Sequence, residues 1–342
     1  MSDSTYSKAC ENLSNIIEDY RQDELATLTP EHVERWANQF EEMDRHQIVT
    51  ETANILNKTY VSEKKVDGFL KSVLNDSNFT AGDPKKFWQN VGLLDIQPNS
   101  RSQKELNRKL CELCKQEYGV DIAVNSSKNN VWIYLDDGIF TGHQMTVDLS
   151  NWIEANNVEN VEIRTVVIGA HKFGEYELSK LGIKVQKERS ITVKPWAVIR
   201  LENRKTYRAN SDVLWPTFIP DGGMVEEWLT KREMKLDHFH SRSGENLGDA
   251  NLFSTSSARA KLEYAFMERG AYICTLGASN NRMMKPLGYS TFRSVGFGTL
   301  FCTYRNCPNN APLVLWWGDP NGNQTLRRWY PLIQRASREF AN

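Results

Sequence analysis

From residue 94 to residue 200 the chain alternates short apolar runs with amphipathic stretches, and this rhythm constrains the fold more than any other feature. "LLDIQP" leads through a polar loop into "SQKELNRKLCELCKQEYG"; "VWIYLDD" is followed by "TVDLSNWIEANN", "VEIRTVVIGA" by "YELSKLG", and "IKVQKERSITV" leads outward again. Strand followed by helix, repeated, favours a parallel sheet with helices on both faces. The predicted fold class is therefore α/β, with residues 131–135 as a central strand. That strand ends on two adjacent carboxylates, Asp136 and Asp137, before Gly138 opens a turn.

The region before the alternation reads as helical, over residues 1–80. Thr29 is a predicted N-cap, with Pro30 in the first turn and Glu31 and Glu34 near the positive helix end. Val33, Trp36, Phe40 and Met43 recur at the spacing of a buried stripe. Val49, Ala53 and Leu56 begin a second stripe beside Ile48 and Ile55, and "DGFLKSVL" supplies a third short helix. The remaining 81–342 is expected to form the main domain, with an irregular insertion around 205–250. Within it, "SSARAKLEYAFMERGAYICTLG" predicts a helix followed by a strand, and "FGTLFCTYRN" and "PLVLWWGD" predict short strands.

Bulk composition narrows the function classes. Forty-two basic residues against 43 acidic ones leave a net charge of −1 over 342 residues, so nothing global suggests a nucleic-acid coat. No apolar run approaches the roughly 18 residues of a membrane span. The start, "MSDSTYSKACENLS", is polar and lacks an apolar signal core. Six scattered cysteines do not make a disulfide framework at this length, which points to the cytoplasm.

Open parallel sheets bind ligands at the carboxyl ends of their strands, beside helix N-termini. Gly138 and Gly142 allow a tight loop whose backbone N–H groups converge on one anion, and Thr141 adds a hydroxyl. That half suits a phosphate. The acidic pair, expected to be exposed, suits vicinal hydroxyls. A sugar phosphate satisfies both.

Strand-Asp-Asp-x-x-x-Thr-Gly resembles the ribose-5-phosphate loop of type I phosphoribosyltransferases. The resemblance implies a phosphoribosyltransferase-like fold in which Asp136 and Asp137, as the catalytic pair, hold the 2- and 3-hydroxyls of phosphoribosyl pyrophosphate. Gly138, Ile139, Phe140, Thr141 and Gly142 would then bind the 5-phosphate. The strand-loop-helix at 94–110 stands where the family keeps its pyrophosphate loop, so Ser100, Arg101 and Ser102 are candidate ligands there. Mg²⁺ would enter through the ligand's pyrophosphate. The C-terminal third, with "LEYAFMERGAYI", "KPLGYSTFRSVGFGTLFCTYRNCPNNAPLVLWW" and "RRWYPLIQR", is similar to a divergent branch found in bacterial conflict and antiviral systems, some members encoded beside retron reverse transcriptases. That likeness implies a glycosyltransferase-type effector acting on nucleotides. The alternative is a non-catalytic sugar-phosphate or nucleotide-binding module that assembles with a reverse transcriptase or another nucleic-acid partner, because no catalytic hood is identifiable. Either form is compatible with an oligomer.

Other motifs carry alternatives. Ser102-x-x-Glu105 is also a capping box. Cys111 and Cys114 have the spacing of half a zinc site, but without a second pair a core role on a helix face is the better reading. His238 and His240, as His-x-His, suit a base or phosphate, or are surface polar positions. Arg282 and Lys285, near a glycine turn, suit a pyrophosphate or a solvated loop. Trp316, Trp317, Trp329 and Tyr330 suggest packing before base stacking, with Arg327 and Arg328 interleaved.

Overall fold

The computed structural model describes residues 3–97, 101–128, 130–220, 222–235, 238–276 and 281–335. Its chain divides into two compact units, Glu63–Leu201 and the paired segments Met1–Ser62 and Glu202–Asn342. The boundary predicted near residue 80 falls inside the first of these, between two of its helices.

The Glu63–Leu201 unit contains α4 (Glu63–Asn75), α5 (Pro84–Trp88), β2 (Gly92–Leu93), α6 (Arg101–Tyr118), β3 (Ala123–Val124), β4 (Val131–Ile139), α7 (His143–Ala155), β5 (Glu162–His171), α8 (Lys172–Arg189) and β6 (Thr192–Leu201). Among the described residues the strands form one five-stranded sheet in the order β3-β2-β4-β5-β6, parallel throughout and flanked by helices on both faces. β4 is central, as the alternation predicts. Both of its faces are buried: Ile133 and Leu135 are 0% exposed on one, and Tyr134 is 0% exposed on the other. Trp132 packs edge-on against Trp152 of α7 at 5.0 Å, which fixes that helix over one face. The core beneath α7 and α8 gathers Tyr134, Leu149, Ile163, Val167, Leu178 and Val185.

Two boundaries in this unit differ from expectation. α8 continues through "IKVQKER", because Leu178 and Val185 lie on one buried side of a single helix that passes through Gly182. The acidic pair lies within β4, since pairing with β5 continues from Asp136↔Val167 to Ile139↔Ala170. The turn therefore starts at Phe140.

The second unit joins the two ends of the chain: α1 (Asp3–Ile16), α2 (Pro30–Ala37), α3 (Glu42–Thr59) and β1 (Tyr60–Val61) from the N-terminal segment, and α9 (Gly223–Lys231), α10 (Ser256–Leu276), β7 (Cys302–Thr303) and α11 (Leu313–Trp316) from the C-terminal one. Thr29 caps α2 as predicted, accepting from His32 N at 3.4 Å. Val33, Trp36 and Phe40 are buried, and their partners come from the far end of the sequence. Trp36 Nε1 donates to Val314 O (2.8 Å), and Phe40 stacks on Phe266 (5.8 Å) and meets Trp329 edge-on (5.7 Å). β1 pairs in parallel with β7.

Three expectations for this unit are corrected. Met43 is 87% exposed, because α2 stops at Ala37 and α3 starts at Glu42, which breaks the stripe. "AYICTL" is the last part of α10, where Ile273 and Cys274 are buried as helix residues. "PLVLWW" contains the helical turn α11, with Leu313 to Trp316 buried. Short apolar runs carry no period that separates a strand from a buried helix.

Candidate functional site

Asp136 sits near the carboxyl end of the central strand, on the face that also carries Tyr134. Asp136 and Asp137 are 8% and 9% exposed, which corrects the expectation of an exposed pair. Three donors converge on the Asp136 carboxylate. Gln97 Nε2 donates to Oδ2 (2.7 Å), Ser102 Oγ to Oδ1 (3.1 Å), and the Asp137 backbone N–H to Oδ1 (2.8 Å). Burial, and Asp137 beside it, push the Asp136 carboxyl up to about 7, while the three donors oppose that rise.

Gln97 and Ser102 hold this position through the segment joining β2 to α6. Gln103 Oε1 accepts from the backbone N–H groups of Ile96 (2.9 Å) and Gln97 (3.1 Å), so the residue after Ser102 fixes the backbone that carries Gln97. Asn107 Nδ2 donates to Leu94 O at 3.0 Å, tying α6 to the end of β2. Ser102 is thus a ligand of Asp136. Of the other residues assigned to a pyrophosphate loop, Ser100 lies outside the described residues, and Arg101 is described only as the first residue of α6.

The turn after β4 is set by close backbone packing. Gly142 has a φ of +76°, and a Cβ there would lie 2.7 Å from Gly174 O. Gly174, on α8, is equally crowded: a Cβ on it would lie 2.5 Å from Phe140 O and 3.1 Å from Gly142 N. These two glycines let the turn press onto α8 while α7 starts at His143. Thr141 Oγ1 accepts from His143 N at 3.3 Å, leaving the hydroxyl proton available at the helix N-terminus. His171, at the end of β5, is 0% exposed and donates from Nδ1 to Ile139 O (3.1 Å). Burial lowers its pKa to about 4, so it is a neutral brace for the turn. Gly138 and Ile139 thus close β4, and Phe140, Thr141 and Gly142 form the turn that leads directly into α7.

Sequence reasoning missed Gln97, Tyr134, Asp148 and His171. Gln97 Nε2 also donates to the Tyr134 hydroxyl, and Tyr134 donates to Asp148 Oδ2 on α7 at 3.1 Å. The two-residue period places Tyr134 on the face of Asp136 and was a readable signal. Nothing local in the sequence marks Gln97 or Asp148.

His238, His240, Arg282 and Lys285 belong to the other unit. His238 and His240 lie in an irregular segment held through its backbone: Arg293 Nε donates to His238 O (3.0 Å), and Trp215 Nε1 donates to His240 O (2.6 Å). Lys285 is 6% exposed, donates to Phe292 O and lies 5.6 Å from the Phe239 ring centroid, so it braces a buried turn. Burial lowers its pKa to about 8. Arg282 is exposed. Cys114 is buried on α6, with its thiol pushed up to about 12 by burial. Trp316, Trp317 and Trp329 are buried as packing residues, while Arg327 and Arg328 are exposed.

Among the described residues, no group of three or more His, Cys, Asp or Glu side chains is placed to hold a metal ion. No helix of those residues is long and apolar enough to cross a membrane.

Comparison with curated proteins gives no match. Among solved structures, the AQ2163 protein from Aquifex aeolicus aligns at 10% identity over 50% of this chain and 83% of its own, with a TM-score of 0.25, a likeness that carries no argument. The family model described as PRTase-CE matches residues 33–335, which take in the β4 turn, all of the Glu63–Leu201 unit and most of the other. With most of its length inside that match, the chain belongs to the PRTase-CE family and is a phosphoribosyltransferase-like protein.

Proposed function

We propose that the carboxyl end of β4 binds a ribose 5-phosphate group, as part of phosphoribosyl pyrophosphate or a related donor, and that the protein transfers that group. One observation carries the reading: a carboxylate pair on the central parallel strand runs directly into a turn that presses onto Gly174 and opens a helix N-terminus. Thr141 and the N–H groups at the start of α7 would hold the 5-phosphate. Asp136 and Asp137, when ionised, would accept the ribose hydroxyls and face the positive charge that develops at the anomeric carbon. Mg²⁺ would arrive on the donor's pyrophosphate, held by the ligand's own oxygens, and would neutralise charge on the leaving group. The setting in bacterial antiviral defence, acting on nucleotides, rests on the resemblance of the C-terminal third.

Calorimetric titration with ribose-5-phosphate and its 2-deoxy analogue tests this. The parent protein should prefer ribose-5-phosphate on the order of tenfold or more, the worth of one hydrogen bond to a charged group. Asp137→Asn should erase that preference, and Thr141→Val should weaken both sugars equally. A parent that binds neither sugar, or both alike, ends the reading.

A second reading is favoured by the crowding of Asp136, whose oxygens already accept three hydrogen bonds. In it the site binds a sugar phosphate or nucleotide without turnover and serves assembly with a reverse transcriptase or another nucleic-acid partner. Pyrophosphate release from phosphoribosyl pyrophosphate with Mg²⁺, present or absent, separates the two.

A further inference from the structure

Behind Asp136 runs a chain of hydrogen bonds whose direction is set at its far end. Asp148, 7% exposed on α7, takes Gln144 Nε2 on Oδ1 (2.7 Å) and the Tyr134 hydroxyl on Oδ2 (3.1 Å). Burial raises its pKa, and both donors oppose that rise. The Tyr134 hydroxyl has a single proton, and the geometry gives it to Asp148. The Tyr134 oxygen can then only accept from its other side, where Gln97 Nε2 donates. The Gln97 amide is thereby oriented with nitrogen toward Tyr134, and the second hydrogen of that nitrogen meets Asp136 Oδ2 at 2.7 Å. A reversed amide would set its oxygen against a carboxylate and a phenol lone pair, acceptor facing acceptor.

We propose that Gln97, oriented by Tyr134 and Asp148, is a positioning residue that keeps Asp136 an acceptor for a ligand's ribose hydroxyl. This rests on the ribose-phosphate reading of the site. The groups facing Asp136 are Asp137 and Tyr134 from its own strand, Gln97 from the segment after β2, and Ser102 from α6. Burial and the Asp137 charge favour a proton on Asp136, and that proton would occupy the place where a hydroxyl needs a lone pair. The donors work against it. Because the Asp136 midpoint lies at about 7, a small change in donation changes the ionised fraction at neutral pH. An upward shift of about one pH unit takes that fraction from about a half to about a tenth.

Carboxyl carbon NMR of the ligand-free protein reads the Asp136 midpoint directly. Gln97→Leu should raise it by about one pH unit, the size expected for one lost hydrogen bond to a charged group. Tyr134→Phe should shift it the same way by less. The double variant should rise no further than Gln97→Leu alone, because Tyr134 acts through Gln97. Ribose-5-phosphate affinity at neutral pH should fall in the same order and recover above each new midpoint. A packing role would weaken binding at every pH and leave the midpoint in place, which overturns the proposal, as does additivity of the two changes. Should Gln97→Leu fail to fold, Tyr134→Phe with Gln97→Met carries the same test. A parent protein that binds no ribose-5-phosphate at any pH overturns the site reading itself. Bound sugar with an unmoved midpoint overturns only the role of Gln97.

Discussion

Asp136 shows how one buried charge makes a site sensitive to solution conditions. Its folded midpoint of about 7 lies well above the value near 3.9 of an unfolded chain. Between the two, the folded protein keeps a proton that the unfolded chain has released. The contribution of this group to stability therefore falls as pH rises from about 4 to about 7 and is level above that. Asp136→Asn should flatten this slope, as read by denaturant unfolding at several pH values across the window. An unchanged slope would place the titration elsewhere. His171 has the opposite character: held neutral by burial, it braces Ile139 without titrating near neutral pH.

Among the elements, α2 and α10 show how far sequence periodicity reaches. The stripe of Val33, Trp36 and Phe40 is readable from spacing, and each of these side chains is buried. α10 offers no comparable stripe, because it is buried on several sides, including charged positions. Arg259 and Glu263 are 0% and 1% exposed and pair at 2.8 Å, and Arg242 completes the group at 3.2 Å from Glu263. Such a group resists disruption, since removing one partner strands a buried charge. The aromatic contacts of Trp36 on α2 and of Phe40 just after it with Phe266 and Trp329 make the N-terminal helices part of a core, in place of a removable appendage. Trp36→Ala should cost about 3–5 kcal/mol, as large aromatic truncations in cores do. Limited proteolysis of that variant should then open both chain-end segments together. Clean release of residues 3–62 from an intact remainder would show that the helices are only docked.

For the whole molecule, one contiguous stretch builds the sheet unit while both chain ends build the other. Residues 63–201 expressed alone should therefore unfold cooperatively with the circular dichroism of a mixed helix and strand domain. A fragment lacking a cooperative transition would show that the unit needs the rest of the chain. The alternation of apolar and amphipathic runs determined the parallel sheet, its central strand and the presence of a turn at its carboxyl end, because side-chain period and glycine placement are local properties. The order of the sheet edges, with the two-residue strands β2 and β3, left almost no local pattern to read. Gln97, Ser102, Tyr134 and Asp148 became one network only when α6 and α7 packed on β4, since a hydrogen bond between residues 39 apart has no sequence signature. The burial that holds Asp136 near neutrality is likewise a property of what surrounds it: local chemistry supplied the carboxylate, and only tertiary packing removed the water that would have kept it an ordinary acid.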